Sequence, residues 1–269
     1  MAELFEQYIK KLSRQSSKGN QLKWENEGIW YKADFLGYEG LAEYVISHLL
    51  KKSTLSEDEF VLYDLEEIHY KSTVYNGAKS DSFLEKGWQV ITLERLYQNL
   101  TGESLYKTIF SIEDHTKRFD FLVEQVEQYT GLKNFNIYLN KLFTIDAFFL
   151  NEDRHMHNIA VLMNEVGEFE YCPIFDNGAG LLADTMQDYP LGRNVYEQMD
   201  EVQAKTICFD FDEQLEISEA KSNVNLRFTF TKDDVDQVID GATIYSEEER
   251  ERVRTIIYTQ MRKYAYLTE

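Results

Sequence analysis

The sequence predicts an α+β fold in two lobes, a small sheet-containing lobe over residues 1–93 and a larger helical lobe over residues 94–269. Three observations predict it. The first third carries short apolar and aromatic runs separated by turn residues, the mark of strands and hairpins. From about Glu94 onward the apolar residues recur at helical spacing. With 269 residues, 43% of them hydrophobic and including 17 Phe and 18 Tyr, the chain can pack one large domain or two modest ones.

The elements follow in order. Residues 1–15 have amphipathic spacing and predict an opening helix. Residues 16–20, Ser-Ser-Lys-Gly-Asn, are a turn of small residues. Residues 21–24 and 28–33 predict a hairpin across Glu25, Asn26 and Glu27. Apolar Leu41, Val45, Ile46, Leu49 and Leu50 predict a helix over 41–51. Residues 60–70 and 88–93 predict two strands joined by a polar stretch containing Gly77 and Gly87. Helices are expected over 119–129 and 137–150, the second apolar enough to be buried on most sides. Residues 160–163 and 169–175 flank a polar turn as a short hairpin. Helices over 195–206 and 246–266 close the chain, the last opened by Ser246 before three glutamates. A cleft between two such lobes is where a nucleotide is expected.

Charge and composition narrow the function classes. A net charge of −20 repels nucleic acid and anionic membranes and fits a basic protein substrate better. No apolar run reaches a bilayer-spanning length, and mean hydropathy is −0.47, so no membrane insertion is expected. No secretory signal is read at the start. Cys172 and Cys208 are too few for a disulfide framework or a Cys-based zinc site and read as reduced core residues. A cytoplasmic location is the default expectation, with export lacking a cleavable signal as the alternative.

The chemistry concentrates in residues 151–158, Asn-Glu-Asp-Arg-His-Met-His-Asn, and in Ile174-Phe175-Asp176-Asn177-Gly178. Asp153 and Asn158 stand in an Asp-x-x-x-x-Asn interval, and Asp176 follows in a turn that ends an apolar run. Phosphoryl transfer needs a carboxylate to steer the attacking hydroxyl, here Asp153. It also needs hard oxygen donors for Mg²⁺, here Asn158 and Asp176. His155 and His157, two residues apart on a loop, do not make a zinc pair. His155 reads as a buttress of the loop and Arg154 as a charge neutraliser.

In the first lobe a kinase needs a strand Lys to grip phosphates and a helix Glu to hold that Lys. Lys32 ends a predicted strand and Glu43 lies in the following helix; Glu39 competes with Glu43. Ser16, Ser17, Lys18 and Gly19 form the turn expected over the phosphates, through backbone N–H groups and the Lys18 ammonium. Neither a Gly-x-Gly-x-x-Gly run nor a Walker motif is present.

The 151–158 and 174–178 segments resemble the atypical serine/threonine kinases of the HipA-like and CtkA-like group and are similar to phosphatidylinositol-kinase-type catalytic loops. The resemblance implies a two-lobed protein-kinase-like fold, use of ATP and Mg²⁺, and phosphorylation of Ser or Thr on a protein substrate. It makes Asp153 the catalytic base and Asn158 and Asp176 the metal ligands, with Lys32 on the α- and β-phosphates and Glu43 as its partner. Autophosphorylation, at Ser16 or Ser17, and an antitoxin-like or regulatory protein partner are also implied. The alternatives are a phosphatidylinositol or small-molecule kinase and a pseudokinase acting as a binding module.

Overall fold

The computed structural model describes residues 1–10 and 21–268. The strands are β1 (Ala2–Leu4), β2 (Lys23–Asn26), β3 (Ile29–Ala33), β4 (Asp64–Tyr70), β5 (Thr73–Asp81), β6 (Trp88–Thr92), β7 (Ala160–Asn164) and β8 (Phe169–Tyr171). The helices are α1 (Glu39–Leu50), α2 (Leu93–Thr101), α3 (Leu105–Ser111), α4 (His115–Thr130), α5 (Phe135–Phe149), α6 (Val195–Glu201), α7 (Phe211–Lys221), α8 (Lys232–Gly241) and α9 (Glu247–Lys263). They form two compact units. One contains residues 1–83, 175–202 and 227–269; the other contains residues 84–174 and 203–226.

The first unit is built on a five-stranded sheet in the order β1-β4-β5-β3-β2, with β1 parallel to β4 and the other pairs antiparallel. Period-two alternation divides its side chains between two faces. Trp24, Tyr31, Ala33, Ile68 and Tyr70 join Leu4 in a core on one face. Lys32, between Tyr31 and Ala33, therefore points to the other face, where α1 packs. The helix comes unusually close. A Cβ on Gly40 would stand 2.6 Å from the Gly77 carbonyl carbon of β5. A Cβ on Gly77 would in turn stand 2.1 Å from the Lys32 carbonyl oxygen. Two glycines thus set the spacing of α1, β5 and β3.

Two sequence expectations are corrected here. The opening residues form β1 and a 3-10 turn (Glu6–Tyr8) rather than a helix. Pairing of Ala2 with Ile68 and of Leu4 with Tyr70 satisfies this backbone through a partner far along the chain, which local spacing does not register. The polar stretch containing Gly77 is β5, paired to both β4 and β3.

In the second unit the sheet order is β6-β7-β8, all antiparallel. Helix α5 supplies its spine, with Phe135, Leu139, Phe143, Ile145, Phe148 and Phe149 fully buried. Asp114 and Asp210 cap α4 and α7, their side chains accepting the N–H groups of Lys117 and Glu213. Leu150 ends α5 in the left-handed region, φ 55°, and releases the chain into the 151–159 loop.

Candidate functional site

Each unit carries one cluster of the residues singled out by the sequence. In the first unit, Lys32 Nζ lies 2.5 Å from Glu43 Oε1, 2.8 Å from Asp176 Oδ1 and 3.2 Å from the Tyr63 hydroxyl. Gly40 contacts the sheet one turn before Glu43, so the glycine spacing brings the carboxylate within reach of the lysine. The other Glu43 oxygen accepts the Asn177 N–H at 2.9 Å. One buried carboxylate therefore joins the strand lysine to the Asp-Asn-Gly turn. Asp176 adopts φ 62°, and a Cβ on Gly178 would stand 3.4 Å from the Glu39 Cβ, so the turn lies directly on the first turn of α1.

Burial alone would lower the Lys32 pKa. The carboxylates of Asp176 and Glu43 outweigh it and hold the group well above the usual lysine value. Lys32 is thus a fixed cation. Glu39, the competing partner, is committed elsewhere: its carboxylate accepts the N–H groups of Phe35, Leu36 and Gly37 at 3.2, 2.7 and 3.1 Å.

Sequence reasoning gave Tyr63 no role here and Lys23 only a secondary one. Lys23 sits directly across from Lys32 in the β2–β3 register, and its Nζ lies 3.7 Å from Asp176 Oδ1. Cross-strand partners project from the same face, a pairing that the turn predicted across Glu25, Asn26 and Glu27 does not give. Tyr63 places its ring beneath the ammonium, 4.8 Å from Nζ to the ring centroid, and its N–H donates to Ser47 Oγ of α1. Ser16, Ser17, Lys18 and Gly19 lie outside the described residues.

In the second unit, the 151–159 loop is organised by a buried ion pair. Arg154 Nε donates to both Asp146 oxygens at 3.1 Å, and Arg154 Nη1 donates to the Asn158 carbonyl at 3.2 Å. Asn151 Nδ2 donates to Asp146 Oδ1 at 3.0 Å. Burial raises the Asp146 pKa to about 6, opposed by Arg154 and by the hydrogen bond from Asn151. Asp146 is the acid inside the apolar run of α5, a signal the sequence reading passed over.

Asp153 and Asn158 are in direct contact. Asn158 Nδ2 donates to Asp153 Oδ2 at 3.0 Å and to the Asp153 carbonyl at 2.8 Å. The amide N–H₂ is used on Asp153, which leaves Oδ1 as the amide's acceptor oxygen. His155 Nε2 lies 3.5 Å from Asp153 Oδ1, and burial lowers the His155 pKa below its ordinary value. His155 Nδ1 accepts the His157 N–H at 3.2 Å, so the ring props the loop from within.

The chain is similar to the Helicobacter pylori proinflammatory kinase CtkA, with 16% identity and a TM-score of 0.61, over 95% of this chain and 92% of that one. The fold is that of the CtkA-like kinases. HipA from Shewanella oneidensis, solved with HipB and its operator DNA, also matches, with 14% identity and a TM-score of 0.52. That match covers 89% of this chain and 59% of the HipA chain. No protein-family model matches the chain. No curated protein matches it by sequence. Within this kinase-like fold, β3 carries Lys32, α1 carries Glu43, and the loop after α5 carries Asp153 and Asn158. No helix among the described residues is long and apolar enough to cross a membrane.

Proposed function

We propose that the chain is an ATP- and Mg²⁺-dependent serine/threonine protein kinase that also phosphorylates itself. The observation that carries this reading is the buried Lys32–Glu43 ion pair at 2.5 Å, joining strand to helix in a CtkA-like fold. A permanently charged lysine held this way suits the α- and β-phosphates of ATP. Lys23, on the same sheet face, is assigned to the same phosphates, and so are Ser16, Ser17, Lys18 and Gly19 from the sequence.

Asp153 is assigned as the base that accepts the proton of the incoming hydroxyl. Its carboxylate is oriented by Asn158 Nδ2 and flanked by His155, so little reorientation is required when a substrate arrives. Asn158 Oδ1 and the Asp176 carboxylate are hard oxygen donors of the kind Mg²⁺ takes. That ion, when bound, neutralises charge building on the phosphates. Arg154 stays out of the chemistry, since Asp146 satisfies it.

A basic Ser/Thr-containing protein is the acceptor that a net charge of −20 favours. The HipA structure contains HipB, and an antitoxin-like or regulatory protein partner is proposed by analogy with it. Incubation with Mg-ATP labelled at the γ-phosphate, with a basic protein acceptor or inositol lipid, tests the reading. Label on protein is expected. Label on lipid alone would move the acceptor class, and no label on either would contradict kinase activity.

A further inference from the structure

We propose that His115, Cys208 and Glu213 form a zinc site in the second unit. One ring nitrogen of His115, Sγ of Cys208 and one carboxylate oxygen of Glu213 all lie within 4.8 Å of one another. The three come from three places: the first residue of α4, the segment before α7, and the first turn of α7. In sequence they are too scattered to form a motif.

The ligand chemistry selects the ion. Thiolate, imidazole and carboxylate together suit Zn²⁺, which takes four ligands at about 2.0–2.3 Å and tolerates a water as the fourth. Mg²⁺ and Ca²⁺ would not take the thiolate. With neutral His115 and ionised Cys208 and Glu213, the site matches the two positive charges of the ion. His115 Nδ1 and Glu213 Oε1 already meet at 2.7 Å. Cys208 Sγ donates to the Asp210 carbonyl at 3.2 Å.

The surroundings hold the donors in place. Asp210, the α7 cap, accepts the Glu213 N–H at 2.9 Å, and Asp114, the α4 cap, fixes the turn that carries His115. Arg118 Nη1 donates to the Ile207 carbonyl at 2.8 Å, beside Cys208. The Phe110 and Phe209 rings meet at a tilt beside this segment, their centroids 5.5 Å apart. Cys208 itself is buried.

Burial pushes the Cys208 thiol up to about 11, so without metal it is protonated at neutral pH. Binding exchanges the S–H bond for an S–Zn bond and releases that proton to solvent. The same segment reaches the 151–159 loop, because Thr206 Oγ1 donates to the Arg154 carbonyl at 2.5 Å. Zinc at Cys208 would therefore tie α4, α7 and the Thr206 strap together. The site stands independently of the kinase reading.

The test is a calorimetric zinc titration of the chelator-treated full chain, in two buffers of different ionisation enthalpy. C208S, H115A, E213Q and C172S are measured alongside, each checked for native circular dichroism. One zinc per chain with proton release is expected. C208S, H115A and E213Q should each lose more than about tenfold in affinity, the loss that even an outer-sphere partner causes. C172S should bind as the unmodified chain does, and zinc should raise the unfolding temperature of that pair but not of C208S. No zinc uptake by the unmodified chain, or unchanged affinity in C208S and H115A, would overturn the site.

Discussion

Glu43 uses both oxygens at once: Oε1 lies 2.5 Å from Lys32 Nζ, and Oε2 accepts the Asn177 N–H at 2.9 Å. The ion pair is thus a joint between β3, α1 and the Asp176–Gly178 turn. Removing Lys32 alone leaves a buried carboxylate without its counter-charge, a change that costs about 3–5 kcal/mol. Lys32→Ala is expected to lower denaturant stability by that order and to lose phosphoryl transfer. Lys32→Met with Glu43→Gln, which removes both charges and keeps an oxygen for the Asn177 N–H, should recover most of the stability and none of the transfer. Recovery of both would remove the pair from the chemistry.

Gly77 answers to packing rather than to turn geometry. A Cβ there would stand 2.1 Å from the Lys32 carbonyl oxygen. Gly77→Ala should therefore destabilise the chain by about 1–3 kcal/mol, the usual range for overpacking, and weaken nucleotide binding through β3. Gly167→Ala is a useful contrast, since its φ of 84° makes it strained while nothing lies within 4 Å of the added Cβ. That variant should lose stability and keep its nucleotide affinity. Equal affinity in both would detach the Gly77 spacing from Lys32.

The Asp146–Arg154 pair supports the loop that carries Asp153. Asp146→Ala strands a buried guanidinium and should cost about 3–5 kcal/mol. Asp146→Asn keeps an oxygen for Arg154 Nε and should cost less. Chemical denaturation of both variants checks the order, and Asp146→Ala matching the unmodified chain would show the pair to be dispensable.

Asp34 gives a pH dependence. Its Oδ1 accepts the Gly40 N–H at 2.6 Å and its Oδ2 meets the Tyr245 hydroxyl at 2.8 Å. Burial, then the nearby Glu39 carboxylate, pushes its pKa from 3.8 up to about 8. The folded value exceeds the unfolded one, so the fold favours the protonated acid. Its contribution is complete below pH of about 4 and falls away as pH rises through about 8. Asp34→Asn, which cannot ionise, should flatten the decline in stability across that window. An identical pH profile for the variant would contradict the assignment.

Local signals made some elements readable and left others hidden. The β2–β3 hairpin was legible as two runs of strand formers about a polar break, although β2 runs on through Glu25 and Asn26 and the turn falls at Glu27 and Gly28. Ser246 announced α9 through its capping box with Glu249. Thr231 and Asp234 make the same box at α8 and went unread because the following helix is short and weakly apolar. β5 was hidden by its own role: Gly77 is needed for close packing, and Lys79 pairs with Glu66 across to β4, so the strand reads as polar. Among the residues proposed for the chemistry, Asp153, Asn158 and Asp176 stood out through spacing. Lys23 and Tyr63 act through register and burial, which only the folded chain displays.

Phosphoryl transfer by this chain is expected to depend on Asp153. Its most direct measurement is transfer of labelled γ-phosphate from Mg-ATP to protein, comparing the unmodified chain with Asp153→Ala at matched thermal stability. The unmodified chain should incorporate label, and the variant should lose at least about a hundredfold, the low end for removing a general base. Equal incorporation by both would contradict that dependence.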